Sequence, residues 1–398
     1  MKSRILFVDD NPLVLQGLNR SLHSLRAEFD FEFTDSGRSA LELMARQPFD
    51  AVVSDMKMPG MNGVELLTEV LRLYPQTVRL ILSGQTDPEL LCRCVGVAHQ
   101  CLSKPCDSET LKRTVLRAVE LTRSLKNAAI KELVIRMDRI PTVPPLYCEL
   151  VRQLQSPDTS LDAIAAVVQQ DPGVTARLLQ LVNSSFFGLK RPVSSPREAI
   201  AYLGIESLKS LVLSLSAFSQ YKEMEAAGVS LMAIWQHSLR TAELARRLVG
   251  ARGLSGGMAD ASFVGGLLHD IGRVVLACNF PEEYATARSL ARRQRVTLEK
   301  AEEQVFSCTH ADVGGYLLGL WGLPPTVVDA IAFHHTPSAA GEDFFTPLTA
   351  VHIANVLDCE REANAAPAQA LDEKYLERLG LQTSIQVWRD ILRAGFAS

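Results

Sequence analysis

Two groups of residues in this chain of 398 could do chemistry. The first is Asp9, Asp10, Asp55, Ser83 and Lys104, each standing where an apolar run ends: RILFVDD, AVVSD, LILSG and CLSK. Three carboxylates gathered on one rim repel one another unless a cation joins them. Mg²⁺ suits them, being hard, oxygen-seeking and reluctant to lose its waters. Lys104 and Ser83 could then hold the oxygens of a phosphoryl group. Asp55, the central acid, would be the nucleophile that forms an aspartyl phosphate. The second group is histidine. His237, His269, His310, His334, His335 and His352 stand on or beside successive apolar helical segments, and Asp270 directly follows His269. Imidazoles and carboxylates on facing helices are how bundles build transition-metal sites. His23 and His99 fall elsewhere and read as incidental.

Each group needs elements to position it. RILFVDD, FEFTDS, FDAVVSDM, VRLILSG and QCLSKP read as short strands, the apolar runs of a buried parallel sheet. Helical segments alternate with them: NPLVLQGLNRSLHSL, GRSALELMARQ, GVELLTEVLRLY, ELLCRCVGV and DSETLKRTVLRAVELTRSL. Asn11 is the N-cap of the first, with Pro12 in its first turn. Five such repeats predict an α/β doubly wound, five-stranded parallel sheet, whose ligands sit beyond the carboxyl ends of the strands. The five polar residues stand there.

From Ile140 onward no strand pattern occurs and the chain reads as all-α. LYCELVRQLQS and SLDAIAAVVQQ come first, the latter capped by Ser160. DPGVTARLLQLVNSS follows, capped by Asp171, and then SSPREAIAYLG, capped by Ser195 before Pro196 and stopped by Gly204. GGLLHDIGR reads as one apolar helix carrying the His-Asp pair. Between the two regions, LRAVELTRSLKNAAIKELVIRM predicts a helical connector reaching Met137. Its apolar Leu116, Val119, Leu125, Ala129 and Leu133 either pair with a second copy or pack on the chain's own second half. The tail holds an Ala-rich loop, EREANAAPAQA, then one or two amphipathic helices that cap the bundle.

The net charge of -4 gives no global pull towards nucleic acid or an anionic membrane. ARRQR (291–295) reads as a solvated helix face. The apolar run SLVLSLSAF is too short to span a bilayer, and no signal peptide is visible. The eight cysteines are scattered without C-x-x-C spacing, so reduced thiols and a cytoplasmic protein are expected. The helices flanking Gly204 could suggest a DNA-reading pair, but SLKSLVLSLSAF is apolar where a recognition helix needs polar side chains. No direct DNA binding is expected.

FVDDNP, VVSDMKMPGMNG, LSG and LSKP resemble the receiver domain of two-component response regulators, over about residues 1–122. The resemblance implies a flavodoxin-like sheet and a cognate histidine kinase, with Asp55 as phospho-acceptor. It implies Mg²⁺ on Asp9, Asp10, Asp55 and the carbonyl of Lys57, and Ser83 and Lys104 against the phosphoryl group. Pro105 would follow a cis peptide bond. Cys101 stands where receivers usually place Tyr or Phe, which departs from the family's aromatic relay.

The order of WQHS, HD, a later His and HH resembles the HD superfamily of metal-dependent phosphohydrolases. It implies a metal set of His237, His269, Asp270, His310, His334 and His335. That superfamily closes the set with an acid in an AD dipeptide; here it is Ala354-Asn355, a neutral oxygen that should cost metal affinity. HDIGR replaces the HDIGK of the HD-GYP phosphodiesterases, and no GYP element follows HH. The front half, IPTVPP through QQDPGVTARLLQLVNSS to AIAYLGIESLKSLVL, resembles the HDOD domain, an HD-related output module acting through protein contacts. The expected order is a receiver at 1–122, a helical connector at 123–139, an HDOD domain at 140–340 and a C-terminal helical extension at 341–398. The expected function is a phosphorelay response regulator with a non-catalytic output that binds a downstream protein or dimerises. The alternative is a receiver-controlled, metal-dependent phosphodiesterase, or a non-hydrolysing sensor, of a cyclic dinucleotide such as cyclic di-GMP.

Overall fold

Strands form where β-branched and aromatic residues run without interruption. Helices form where apolar residues recur every three to four positions. The structure, a computed structural model, describes residues 2–83, 97–104, 128–137, 145–154, 159–170, 195–205, 230–360 and 369–395, with short pieces at 109–116, 174–178 and 208–213. Its contacts divide the chain into two units, residues 1–145 with 316–323, and residues 146–315 with 324–398.

In the first unit, β1 (Ser3–Val8), β2 (Phe29–Thr34), β3 (Ala51–Asp55), β4 (Val78–Ser83) and β5 (Gln100–Ser103) form one sheet in the order β2-β1-β3-β4-β5. All its pairings are parallel, with Phe7 beside Phe33, Val53 beside Leu80 and Ser83 beside Ser103. Ile5, Leu6, Val52, Val53, Leu80 and Ile81 are buried in it. The strand order reverses between β1 and β3, and a crevice opens at such a point. Asp9 follows β1 and Asp55 ends β3, so both stand there.

Helices α1 (Pro12–Ser21), α2 (Gly37–Arg46) and α3 (Gly63–Leu73) start on side-chain caps from Asn11, Ser36 and Asn62. Gly63 allows α3 to begin directly against β3: a Cβ there would lie 2.1 Å from the Asp55 carbonyl oxygen. The connector is helical over α4 (Ala128–Arg136). The expected helix at ELLCRCVGV, the Pro105 peptide bond, connector residues 123–127, the Asp171 cap and loop residues 361–368 lie outside the described residues.

The second unit is helical throughout its described residues. It begins with α5 (Pro145–Leu154), α6 (Leu161–Gln169) and α7 (Pro196–Leu203). Ser160 and Ser195 cap α6 and α7 as expected, and Gly204 ends α7 at φ 78°. Leu150, Ile164, Val168, Ile200 and Leu203 pack with Leu208, Leu211 and Val212 into one core. Among the described residues after Gly204, Leu208, Leu211 and Val212 face this core and not solvent.

The long α8 (Leu231–Ala251) crosses α9 (Gly257–Leu268), which is followed by α10 (Ile271–Asn279), α11 (Pro281–Gln294), α12 (Leu298–Phe306), α13 (His310–Leu320), α14 (Pro325–Ala332) and α15 (Pro347–Cys359). Short α16 (Glu373–Arg378) and α17 (Ser384–Gly395) place Tyr375, Leu376 and Trp388 on a second core with Leu244, Leu248 and Val351. The structure corrects one expectation: GGLLHDIGR is two helices, broken at His269 and Asp270, where Asp270 sits at φ -96°, ψ 7°. Residues 257–279 are apolar enough and long enough to cross a membrane, but they are mostly buried in the bundle.

Gly266 lets α9 approach α8, since a Cβ there would lie 2.6 Å from Ala242 Cα. Gly266→Ala should therefore lower unfolding stability by about 1–3 kcal/mol, measured by urea denaturation. A change under about 0.5 kcal/mol would show that the helix crossing can spread at no cost.

Candidate functional site

The first candidate site lies at the crevice of the sheet. Asp9 and Asp55 are buried and Asp10 is exposed. Asp9 Oδ1 accepts the Asn11 N–H at 2.9 Å, and Asp55 Oδ2 accepts the Lys57 N–H at 3.0 Å. Lys104 Nζ donates to Asp9 Oδ2 at 2.8 Å and makes a second, very short contact with Asp55 Oδ1. Burial alone would lower the Lys104 ammonium, but hydrogen bonds to Asp55 and Asp9 outweigh it and hold it above its ordinary range. The donor set facing the crevice is all oxygen, which fits Mg²⁺. Ser83 ends β4 in register with Ser103, the residue before Lys104, so its backbone lies on the same rim.

The second candidate site lies where α8, α10, α13, α15 and the helix ends after α9 and α14 meet. It holds His237, His269, Asp270, His310, His334, His335 and Asn355 together. His269 Nε2 is 3.2 Å from His237 Nε2, and His335 Nε2 is 2.9 Å from His310 Nε2. Asp270 lies between the pairs, its Oδ1 at 3.7 Å from His269 Nε2 and 3.3 Å from His310 Nε2. Asn355 Oδ1 is 2.9 Å from His237 Nε2. His352 stands apart: its Nδ1 meets the His334 carbonyl and its Nε2 accepts the Asp372 N–H.

The Nδ1 atoms explain the arrangement. His237 Nδ1 meets Asp358, His269 Nδ1 the Gly266 carbonyl, and His310 Nδ1 Glu302. His334 Nδ1 meets the Ile331 carbonyl and His335 Nδ1 the Gln369 side-chain oxygen. Every partner is an acceptor, so each ring carries its proton on Nδ1 and turns Nε2 inward. Partners of this kind orient imidazoles at metal sites. The inward Nε2 atoms then stand against one another and against the oxygens of Asn355 and Asp270, contacts that need a proton or a metal ion between them. His334 Nε2 is buried and has no hydrogen-bond partner among the described residues. The ligand atoms of His310, His334 and His335 lie within 4.8 Å of one another, as do those of His237, His269 and Asp270. Imidazole with carboxylate suits a first-row transition metal, and these residues fit one.

The charges are graded. Burial pushes His269 down to about 4, partly opposed by Asp270. Burial also holds His334 and His335 well below the imidazole range. His310 goes the other way: burial opposes its charge, but Glu302 and Asp270 raise it to about 10. For Asp270 burial favours the neutral acid, yet Arg273, His269 and His310 keep it ionised well below the usual carboxylate range.

Sequence reasoning missed the supporting residues. Arg273 Nη1 donates to Asp270 Oδ2 at 2.6 Å, and Arg240 to Asp358 at 2.9 Å. Asp358 lies three residues after Asn355 on α15, a spacing that puts both on one helix face, so it was legible. Glu302 lies on α12, eight residues before the His310 it binds, and Gln369 ends an Ala-rich stretch; neither carried a signal. Gly272, inside HDIG, is needed because a Cβ there would lie 1.9 Å from the His310 carbonyl oxygen.

Comparison with known proteins identifies the two domains that carry these residues. Residues 5–116 match the response regulator receiver domain and residues 140–337 match the HDOD domain. The chain is thus a receiver domain of two-component response regulators joined to an HDOD output domain. It is 29% identical over 252 residues to an uncharacterized protein of Treponema pallidum (strain Nichols), covering 63% of this chain and 48% of that one. It is 37% identical over 125 residues to the hydrogenase transcriptional regulatory protein HoxA of Cupriavidus necator, covering 30% of this chain and 24% of that one. The chain spans about half the length of the first and less of the second. A solved HDOD domain protein of unknown function from Geobacter sulfurreducens shares the fold, with TM-score 0.54 and 24% identity over 72% of this chain and all of that one.

The graded rings predict a pH response in metal-free protein. A ring with a depressed folded value takes its proton first in the unfolded chain, so stability falls as pH drops through about 6.5 towards that value. His310, raised, instead gives stability below its unfolded value of 6.5 that is lost as pH climbs through about 10. His269→Asn should therefore lose roughly 1–2 kcal/mol less stability than the parent between about pH 7 and about pH 5, read by urea unfolding. An equal or larger loss would show that His269 is not held neutral.

Proposed function

We propose that this protein is a cytoplasmic phosphorelay response regulator in which Asp55 takes a phosphoryl group from a histidine kinase. The carboxylate attacks phosphorus and the bond to the kinase imidazole breaks. The observation that carries the reading is the Asp9–Lys104–Asp55 bridge at the sheet crevice. Lys104 lies within reach of the new phosphoryl oxygens, and with Ser83 would hold them. Asp9, Asp10, Asp55 and the Lys57 carbonyl would hold Mg²⁺, which supplies charge neutralisation. The domains are taken as 1–122, 123–139, 140–340 and 341–398, with the HDOD bundle acting through a downstream protein or a second copy rather than on DNA.

We propose further that the histidine cluster holds a transition-metal ion without turning over substrate. The inward Nε2 atoms support the metal. Asn355 at the acid's place and Arg273 on Asp270 Oδ2 support the absence of hydrolysis. Each removes negative charge or a free carboxylate oxygen from the metal set.

Purified protein with acetyl phosphate and Mg²⁺ should become phosphorylated, and Asp55→Asn should not, as read by intact-protein mass spectrometry. Uptake at the normal rate in Asp55→Asn would refute the receiver assignment. Protein equilibrated with Mn²⁺ or Fe²⁺ should retain metal through desalting, and His269→Ala should lose it; a parent protein that comes through metal-free overturns the metal reading. Hydrolysis of cyclic di-GMP by the parent, lost in His269→Ala, would make the pocket a phosphodiesterase instead.

A further inference from the structure

The basic run on α11 reads in sequence as a solvated face, and the structure places a hollow on it. Ala285, Arg288, Ser289, Arg292 and Arg293 line an open pocket of about 410 Å³. On the other face, Tyr284, Ala287 and Ala291 are buried and fix the helix to the bundle. Ala285, Ser289 and Arg293 form one row at four-residue spacing, and Arg288 with Arg292 the next. The small residues leave the space and the arginines flank it.

Arg292 and Arg293 stand in the last turn, where a cation favours the helix dipole, and they make no ion pair among the described residues. That accounts for them as helix residues. Arg288 is mid-helix and half-buried, and burial together with the charges of Arg292 and Arg273, partly offset by Tyr284, lowers it. An anion in the hollow would relieve that crowding. A planar guanidinium binds phosphate through paired hydrogen bonds, and Ser289 adds a hydroxyl.

We propose that this pocket binds the diphosphate or polyphosphate group of a small molecule, independently of any metal in the histidine cluster. It has a route to that cluster. Tyr284 lies one turn before Arg288, its hydroxyl accepts from Arg273 Nε at 3.4 Å, and Arg273 grips Asp270 at 2.6 Å. Anion charge beside Arg288 therefore acts on the guanidinium that holds the Asp270 carboxylate.

Isothermal titration of full-length, chelator-treated protein with inorganic pyrophosphate tests this. Removing the metal keeps the histidine cluster and the receiver crevice from contributing. Binding is expected, weaker by about tenfold or more in Arg288→Gln/Arg292→Gln, and unchanged in Arg295→Gln, which lies beyond the pocket. Arg292→Gln/Arg293→Gln, at two exposed positions, gives the same reading if the first variant fails to fold. A nucleoside diphosphate binding more tightly than pyrophosphate would support the site and identify an organic ligand; equal affinities would support it as a site for the phosphates alone. Absence of pyrophosphate binding, or binding insensitive to these substitutions, overturns the proposal. So would binding only to anionic vesicles or duplex DNA, since the patch would then serve a large surface.

Discussion

Asp270 is an ionised carboxylate with 3% of its surface exposed, and an unpaired charge at that depth costs several kcal/mol. Much of the second unit is arranged around it. Arg273 reaches back from the first turn of α10 to bind one oxygen, and His310 and His269 stand beside the other. His310 can carry its positive charge because Glu302, itself buried, binds both its ring and its backbone N–H. The chain of dependence runs outward from one acid through a cationic imidazole to a second acid. Removing a single member leaves its partner buried with one fewer compensating charge.

The receiver crevice meets the same problem with less burial. Its acids are held apart by the strand order, which puts β1 beside β3, and are joined by one lysine reaching over from beyond β5. A flexible ammonium bridging two carboxylates can be drawn to a new anion without repacking the core. The histidine cluster has no such slack, since its rings are pinned at Nδ1 by groups on five separate segments.

Much of this was legible in the sequence. The sheet and its rim residues follow from the alternation of apolar runs and helical periods, each run ending in a polar residue. The histidines also announced themselves, because their segments are strongly apolar around them. What could not be read was whatever depends on contact between distant segments. Glu302 looks like any surface acid of a helix, and Gln369 sits in a featureless stretch, yet each fixes a ring. The break at His269 and Asp270 was not read because no proline marks it and apolar residues continue on both sides. Just after it, Gly272 lies tight against the His310 backbone, a long-range contact.

That break has an electrostatic consequence. A helix running straight through would put His269 and Asp270 about 100° apart on one rod, with all backbone dipoles passing by unspent. Ending α9 there frees the Gly266 carbonyl, which selects the tautomer of His269, and leaves the negative pole of that helix beside a group meant to face positive charge. Starting α10 there sets the Asp270 carboxylate at a positive pole. The Ile331 carbonyl near the end of α14 treats His334 as Gly266 treats His269. The polarity of the site is thus written partly in where helices stop, and residues with no functional group of their own help to set it.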